Sequence, residues 1–165
     1  MFTPCLAQLP QFMMKTVLTF LHFFRRFYWM VFTPTTVGVR AIIVNSQNQI
    51  LLVKHKYEAA WFLPGGKVEK GETTAQALER ELREEVGILN FEIDATLGVY
   101  SNFFEYKNDH IIVFIVKAFQ LKTASHFEIE QLRFFDFVSI PSTTSPGTKR
   151  RLDEFNHLRK PNYCW

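Results

Sequence analysis

GKVEKGETTAQALERELREEVGI, running from Gly66 to Ile88, is a glycine-led loop passing into a helix crowded with carboxylates, and the reading of the chain turns on it. Thr73 or Thr74 can cap the helix start, and Ala75, Leu78, Leu82 and Val86 recur at three- and four-residue steps, giving one apolar stripe for packing on a sheet. The opposite face is acidic. At about 100° per residue Glu81 and Glu85 stack, while Arg80 and Glu84 form a second stacked pair beside them. One pair is therefore expected to be unneutralised and the other a salt bridge. Carboxylates held this close repel one another unless a cation sits between them, and hard oxygen donors with water favour Mg²⁺ or Mn²⁺. Most glutamate-rich helical stretches are simply solvated faces. Here the glycines and Arg80 fall at fixed spacings from the carboxylates as well.

Read by position, Gly66, Glu72, Arg80-Glu81-Leu82, Glu84-Glu85 and Gly87-Ile88 resemble the Nudix box of the Nudix hydrolases at every defining position. The resemblance implies an α/β fold, a Nudix-type α/β/α sandwich with a mixed sheet. It also implies metal-assisted attack of water on a pyrophosphate linkage, with Mg²⁺ or Mn²⁺ as cofactor. Glu81 and Glu85 would carry the metal, Glu84 would join them as a ligand through water, and the carbonyl of Gly65, just before the box, would complete the set. Gly66, Glu72, Arg80 and Gly87 would be structural, with Arg80 the partner of the acidic cluster. In such proteins the general base is a box glutamate or one from another loop; outside the box the candidate is Glu128, which with Glu130 precedes a strand and would face the same way in an extended segment. The competing class is a non-catalytic, nucleotide-binding module of the same fold, against which the intact set of carboxylates argues.

Outward from the box, the pattern on its N-terminal side is that of strands. Val37 to Val44 is β-branched, Asn45-Ser46-Gln47-Asn48 supplies turn chemistry and Ile50 to Lys54 resumes the apolar run, predicting a hairpin. Trp61-Phe62-Leu63-Pro64 is a short extended piece leading into the glycines. Arg40, Lys54, Lys67 and Lys70 lie in or near these strands and loop and are the expected phosphate contacts. On the C-terminal side, Phe91 to Tyr106 and Ile111 to Phe119 read as strands around a polar turn at Lys107-Asn108-Asp109. The unbroken apolar run from Ile111 to Val116 suits a strand buried on both faces. Gln131 to Val138 gives another strand, and Ser145-Pro146 opens a last helix.

Residues 1–34 form a separate compositional unit, and 35–165 the catalytic-type domain. Lys15, Thr19, His22 and Arg26 make a narrow polar stripe among aromatic and aliphatic residues, predicting an amphipathic helix over residues 12–32. Arg25-Arg26 within the apolar run argues against a transmembrane span, and with the missing small-residue cleavage site against a signal peptide. The open readings are packing on its own domain, a homodimer, or peripheral membrane contact. Charge is asymmetric: no Asp or Glu precedes Glu58, so the first third is purely basic, although the net charge is only +3. Cys5 and Cys164 stand at opposite ends with no CxxC, which reads as free thiols in a reducing, cytoplasmic setting, with a disulfide between the termini as the alternative and peripheral contact at the inner membrane surface as an addition.

The substrate class follows from chemistry more than from motif. A small-molecule nucleotide, a nucleoside triphosphate or a nucleoside diphosphate derivative, is expected, and no stable nucleic-acid partner. Members that cleave ADP-ribose often carry a proline about fifteen residues past the box, and none occurs between Pro64 and Pro141. Tyr106, eighteen past Ile88, sits near the tyrosine of dinucleoside polyphosphate hydrolases, which makes that class the alternative. Phe103, Phe104 and Tyr106 could stack a base.

Overall fold

The computed structural model describes residues 35–104, 108–121 and 128–165. The expected helix over residues 12–32, Tyr106 and Cys5 lie outside the described residues. Among those described, the strands are β1 (Thr35–Ile43), β2 (Ile50–His55), β3 (Trp61–Phe62), β4 (Ile88–Asn102), β5 (Asn108–Leu121) and β6 (Ile129–Phe135). The helices are α1 (Thr74–Glu81), continued by a π-turn over Leu82–Val86, and α2 (Pro146–Phe155).

The strands form two three-stranded sheets. β5 is central in the first, parallel to β1 and antiparallel to β4, while β2 is central in the second, antiparallel to both β3 and β6. The expected hairpin between β1 and β2 is therefore not formed. Asn45 does organise the turn, its Oδ1 accepting from the backbone N–H of Gln47 and Gln49, but β1 and β2 meet only at the Val44–Ile50 bridge and then diverge into different sheets. Turn chemistry fixed the loop and not the partner. β5, by contrast, lies between two strands as its unbroken apolar run predicts, and Val113 and Val116 are fully buried.

Alternation along β1, β2 and β5 splits the apolar interior in two. Val39, Ala41, Ile43, Leu51, Val53, Phe114 and Val116 pack with Ala77, Leu78, Leu82 and Val86 of the box helix. Ile42, Ile50, Leu52, Ile111 and Val113 turn to the opposite side and pack with Leu152 of α2. The result is helix, sheets, helix. The helix stripe differs in one position from the expectation: Ala77 is buried and Ala75 is exposed. Thr73 is the N-cap, accepting from the Gln76 N–H while the Gln76 side chain accepts from the Thr73 N–H. Ser145 caps α2 with Pro146 in its first turn.

On the outer edge of β4 the chain's last residues are tied down. Ser101 exchanges backbone hydrogen bonds with Tyr163 and Trp165, and the Trp165 indole lies against Gly147 of α2. Beneath them Arg151, fully buried, stacks 3.7 Å from the centre of the Tyr100 ring, bonds Glu154 at 2.8 Å and donates to the Cys164 carbonyl at 3.1 Å. Tyr100 in turn donates to Glu154 at 3.0 Å. Burial and Glu154 together push the Tyr100 hydroxyl up to about 12.

Candidate active site

The box loop reaches the helix by way of β1. Val39 and Ala41 donate their backbone N–H groups to the carbonyls of Gly66 and Pro64, so the loop lies along the free edge of β1. Gly65 has a φ of 125°, and a side chain there would run into the Val39 carbonyl. Gly66 is required for a different reason. The Glu81 carboxylate sits against its Cα, in the space a Cβ would fill. The two glycines thus let one loop pack on a strand and receive a carboxylate on its other side.

Arg80 organises the remainder. Its guanidinium takes Glu72 through Nε at 2.8 Å and Nη2 at 3.0 Å, Glu81 through Nη1 at 2.7 Å, and the Lys67 carbonyl at 3.0 Å. This hydrogen bonding holds Glu72 down to about 2, helped by the Glu69 N–H. The expected Arg80–Glu84 pair is the loosest contact, at 3.6 Å, and Glu81 is not left unneutralised. Glu81 is neutralised by Arg80, its neighbour in sequence, just before the helix widens into the π-turn at Leu82–Val86. Gly87, in the left-handed conformation, ends it.

Glu85 and Glu81 are equally withdrawn from water, each with 14% of its side chain exposed against 59% for Glu84. Glu85 accepts at Oε2 from the Gly65 N–H at 2.8 Å, and its Oε1 lies 3.8 Å from His55 Nε2. Burial pushes it up to about 7; Glu81 and Glu128 add to the rise, and the Gly65 N–H and Arg40 oppose it. Arg40, half-buried, carries its charge toward Glu85 and Glu81; burial lowers its pKa and these carboxylates raise it. Its Nη1 donates to the Val39 carbonyl at 3.3 Å, and among the described residues it forms no salt bridge.

A cleft of about 350 Å³ is lined by Glu81, Glu84, Glu85, Glu128 and Ile129. Glu128 thus faces the box glutamates across it. Glu130 does not share that direction: opposite Lys54 and His55 the β6 strand carries an extra residue, and Glu130 pairs with Lys54 at 3.0 Å. That contact lowers the pKa of Glu130 and ties up Lys54 at the β2–β6 seam. Lys67 and Lys70 are exposed beside the loop. His55 is the cleft neighbour that the sequence did not single out; its one signal was a polar residue following the apolar run of β2.

Among the described residues no three His, Cys, Asp or Glu side chains converge into a ready-made metal cage. The cleft instead offers several carboxylates around open space, a donor set that suits a hard cation retaining its own waters.

The NUDIX domain family model matches residues 34–155. A Bacillus subtilis (strain 168) protein provisionally named 8-oxo-dGTP diphosphatase is 33% identical over 122 residues, covering 74% of this chain and 80% of that protein. The ADP-ribose pyrophosphatase of Methanocaldococcus jannaschii is 35% identical over 104 residues, 60% of this chain and 61% of that protein. Among solved structures, the MutT NUDIX hydrolase from Burkholderia pseudomallei superposes with a TM-score of 0.64 at 29% identity, over 73% of this chain and 98% of that one.

Proposed function

Because the chain belongs to the NUDIX family and is a hydrolase, we propose that it hydrolyses a pyrophosphate bond in a nucleoside triphosphate or a nucleoside diphosphate derivative. The observation that carries this reading is the cleft in which Glu81, Glu84, Glu85 and Glu128 face one another beside the half-buried Arg40. Carboxylates alone would repel a polyphosphate. Glu81 and Glu85, with Glu84 through water and the Gly65 carbonyl, would hold Mg²⁺ or Mn²⁺, which would supply charge neutralisation and activation of the attacking water.

The protein's own groups do the rest. Arg40 presents a planar donor fork to a phosphate, and Lys67 adds a point charge from the loop; Lys54, paired with Glu130, contributes there only by leaving that partner. Arg80 is committed to Glu72 and Glu81 and keeps the loop and helix in register. Glu128, exposed on the far rim, accepts the proton as a water oxygen bonds to phosphorus and the bridging P–O bond breaks, with the leaving phosphate taking the electron pair.

The test is turnover by the purified chain with Mg²⁺ or Mn²⁺ on 8-oxo-dGTP, unmodified nucleoside triphosphates, ADP-ribose, nucleotide sugars and dinucleoside polyphosphates, ranked by kcat/KM. The relatives' names put 8-oxo-dGTP and ADP-ribose first, and the missing post-box proline ranks ADP-ribose below the oxidised nucleotide. Tight binding across the panel without phosphate release would favour the non-catalytic module instead. Cleavage confined to diphosphates without a base would remove the nucleoside.

A further inference from the structure

We propose that His55 is a positioning residue for Glu85, donating from Nε2–H to Glu85 Oε1 in the loaded enzyme, so that β2 fixes one carboxylate oxygen while the Gly65 amide fixes the other. The inference rests on the reading of Glu85 as a metal ligand. Its observations are independent of that reading.

Alternation places His55 correctly. Val53 lies in the core beneath the box helix, and two residues on, at the last position of β2, His55 emerges on the same face and meets the π-turn. Its ring is packed edge-on against Phe62, with centroids 5.7 Å apart at 64°, and Phe62 packs in turn on the same core. The imidazole is thus held in place by apolar contact, with Nε2 toward Glu85. The 3.8 Å separation exceeds a hydrogen bond by roughly 0.6–1 Å, a gap of the size that closes when catalytic groups engage their ligands. With the Gly65 N–H on Oε2 at 2.8 Å, a donor on Oε1 would still leave each oxygen of this cleft-lining carboxylate a second lone pair for a ligand. Hydrogen-bonded carboxylate ligands lose about 10–100-fold in metal affinity or activity when their partner is removed.

The experiment measures Mn²⁺ affinity by electron paramagnetic resonance on the full chain, without substrate and at one fixed pH, for the wild type, His55→Gln, His55→Phe and Glu85→Gln. His55→Gln keeps a nitrogen donor at the Nε2 position and gives up the ring; His55→Phe keeps the ring against Phe62 and gives up the donor. The expected result is Mn²⁺ binding weakened about 10–100-fold in His55→Phe and within about threefold of wild type in His55→Gln. The reverse pattern, or two variants that both bind as wild type, would overturn the assignment of His55. Equal loss in both, with unfolding midpoints unchanged, would overturn it too, because the donor would then not be what matters. If Glu85→Gln bound Mn²⁺ like the wild type, the metal reading of Glu85 would fail, whatever the His55 variants did.

Discussion

Glu85 bears opposing demands: the fold withdraws it from water beside Glu81 and Glu128, and the proposed metal-assisted hydrolysis needs it ionised. Glu85→Gln should reduce turnover by orders of magnitude while leaving the unfolding midpoint equal or higher, since desolvation and like-charge repulsion are both relieved. Near-full activity of that variant at saturating Mg²⁺ would sink the assignment. The pH dependence has a definite sign. Glu85 titrates at about 7 in the folded protein and near 4.5 as its ordinary value, so folding favours the protonated form. Its contribution is complete below about pH 4.5 and is lost as pH rises through about 7, an upper bound of roughly 3 kcal/mol. Thermal unfolding in chelator across that window should show a slope that Glu85→Gln flattens; identical slopes would refute it. Gly66→Ala separates site from scaffold. The three atoms nearest the added methyl all belong to the Glu81 carboxylate, so activity should fall about 10–100-fold with a midpoint shift of only a few degrees, measured by kinetics and melting side by side. A variant with full activity would show that Glu81 does not need its seat against Gly66.

At the scale of elements, α2 and the tail form a unit around a buried charge pair. Arg151→Ala would leave buried Glu154 without its opposite charge, with the Tyr100 hydroxyl and the Asn162 N–H still donating to it, costing about 3–5 kcal/mol, or on the order of 10 °C for a chain of this size. Adding Glu154→Gln should recover part of the loss, and calorimetry of the single and double variants checks both. How far the elements could be read from sequence depended on whether their causes were local. Capping at Thr73 and Ser145 and burial of the central strand follow from residues a few positions apart or from an unbroken apolar run. Partner choice does not. Asn45 makes its turn, yet β1 is claimed by β5 and β2 by β6, pairings decided by distant apolar faces. The carboxylates of the box were legible because the glycines and Arg80 fall at fixed spacings from them, which a solvated acidic helix face does not require. The π-turn beneath them was not, since Leu82–Val86 has the composition of an ordinary helix. His55 and the separation of Glu128 from Glu130 depend on strand register, which single residues do not announce.

For the whole molecule, the sequence-based expectation for residues 12–32 is a helix that serves assembly or attachment and leaves the chemistry to the remainder. Removing residues 1–32 should change the oligomeric mass or cause aggregation, read by light scattering, with hydrolysis retained in the soluble fraction. A soluble product of unchanged mass would leave that segment without a role in assembly, and loss of binding to anionic vesicles would assign it to a membrane surface. No helix among the described residues is long and apolar enough to cross a membrane.

The parallel pairing of β1 with β5 also sets an order of events during synthesis. Thr35 waits for Asn108, 73 residues later, and at roughly 5–20 residues per second that interval is about 4–15 s. Through it, Val39 and Ala41–Ile43 have the box loop as an available neighbour but lack the strand that completes their sheet. In that interval the box loop and helix have been synthesised, and the edge of β1 that pairs with β5 has no strand beside it. The rate at which β5 is delivered therefore sets how long that edge stays open to pairing with another chain.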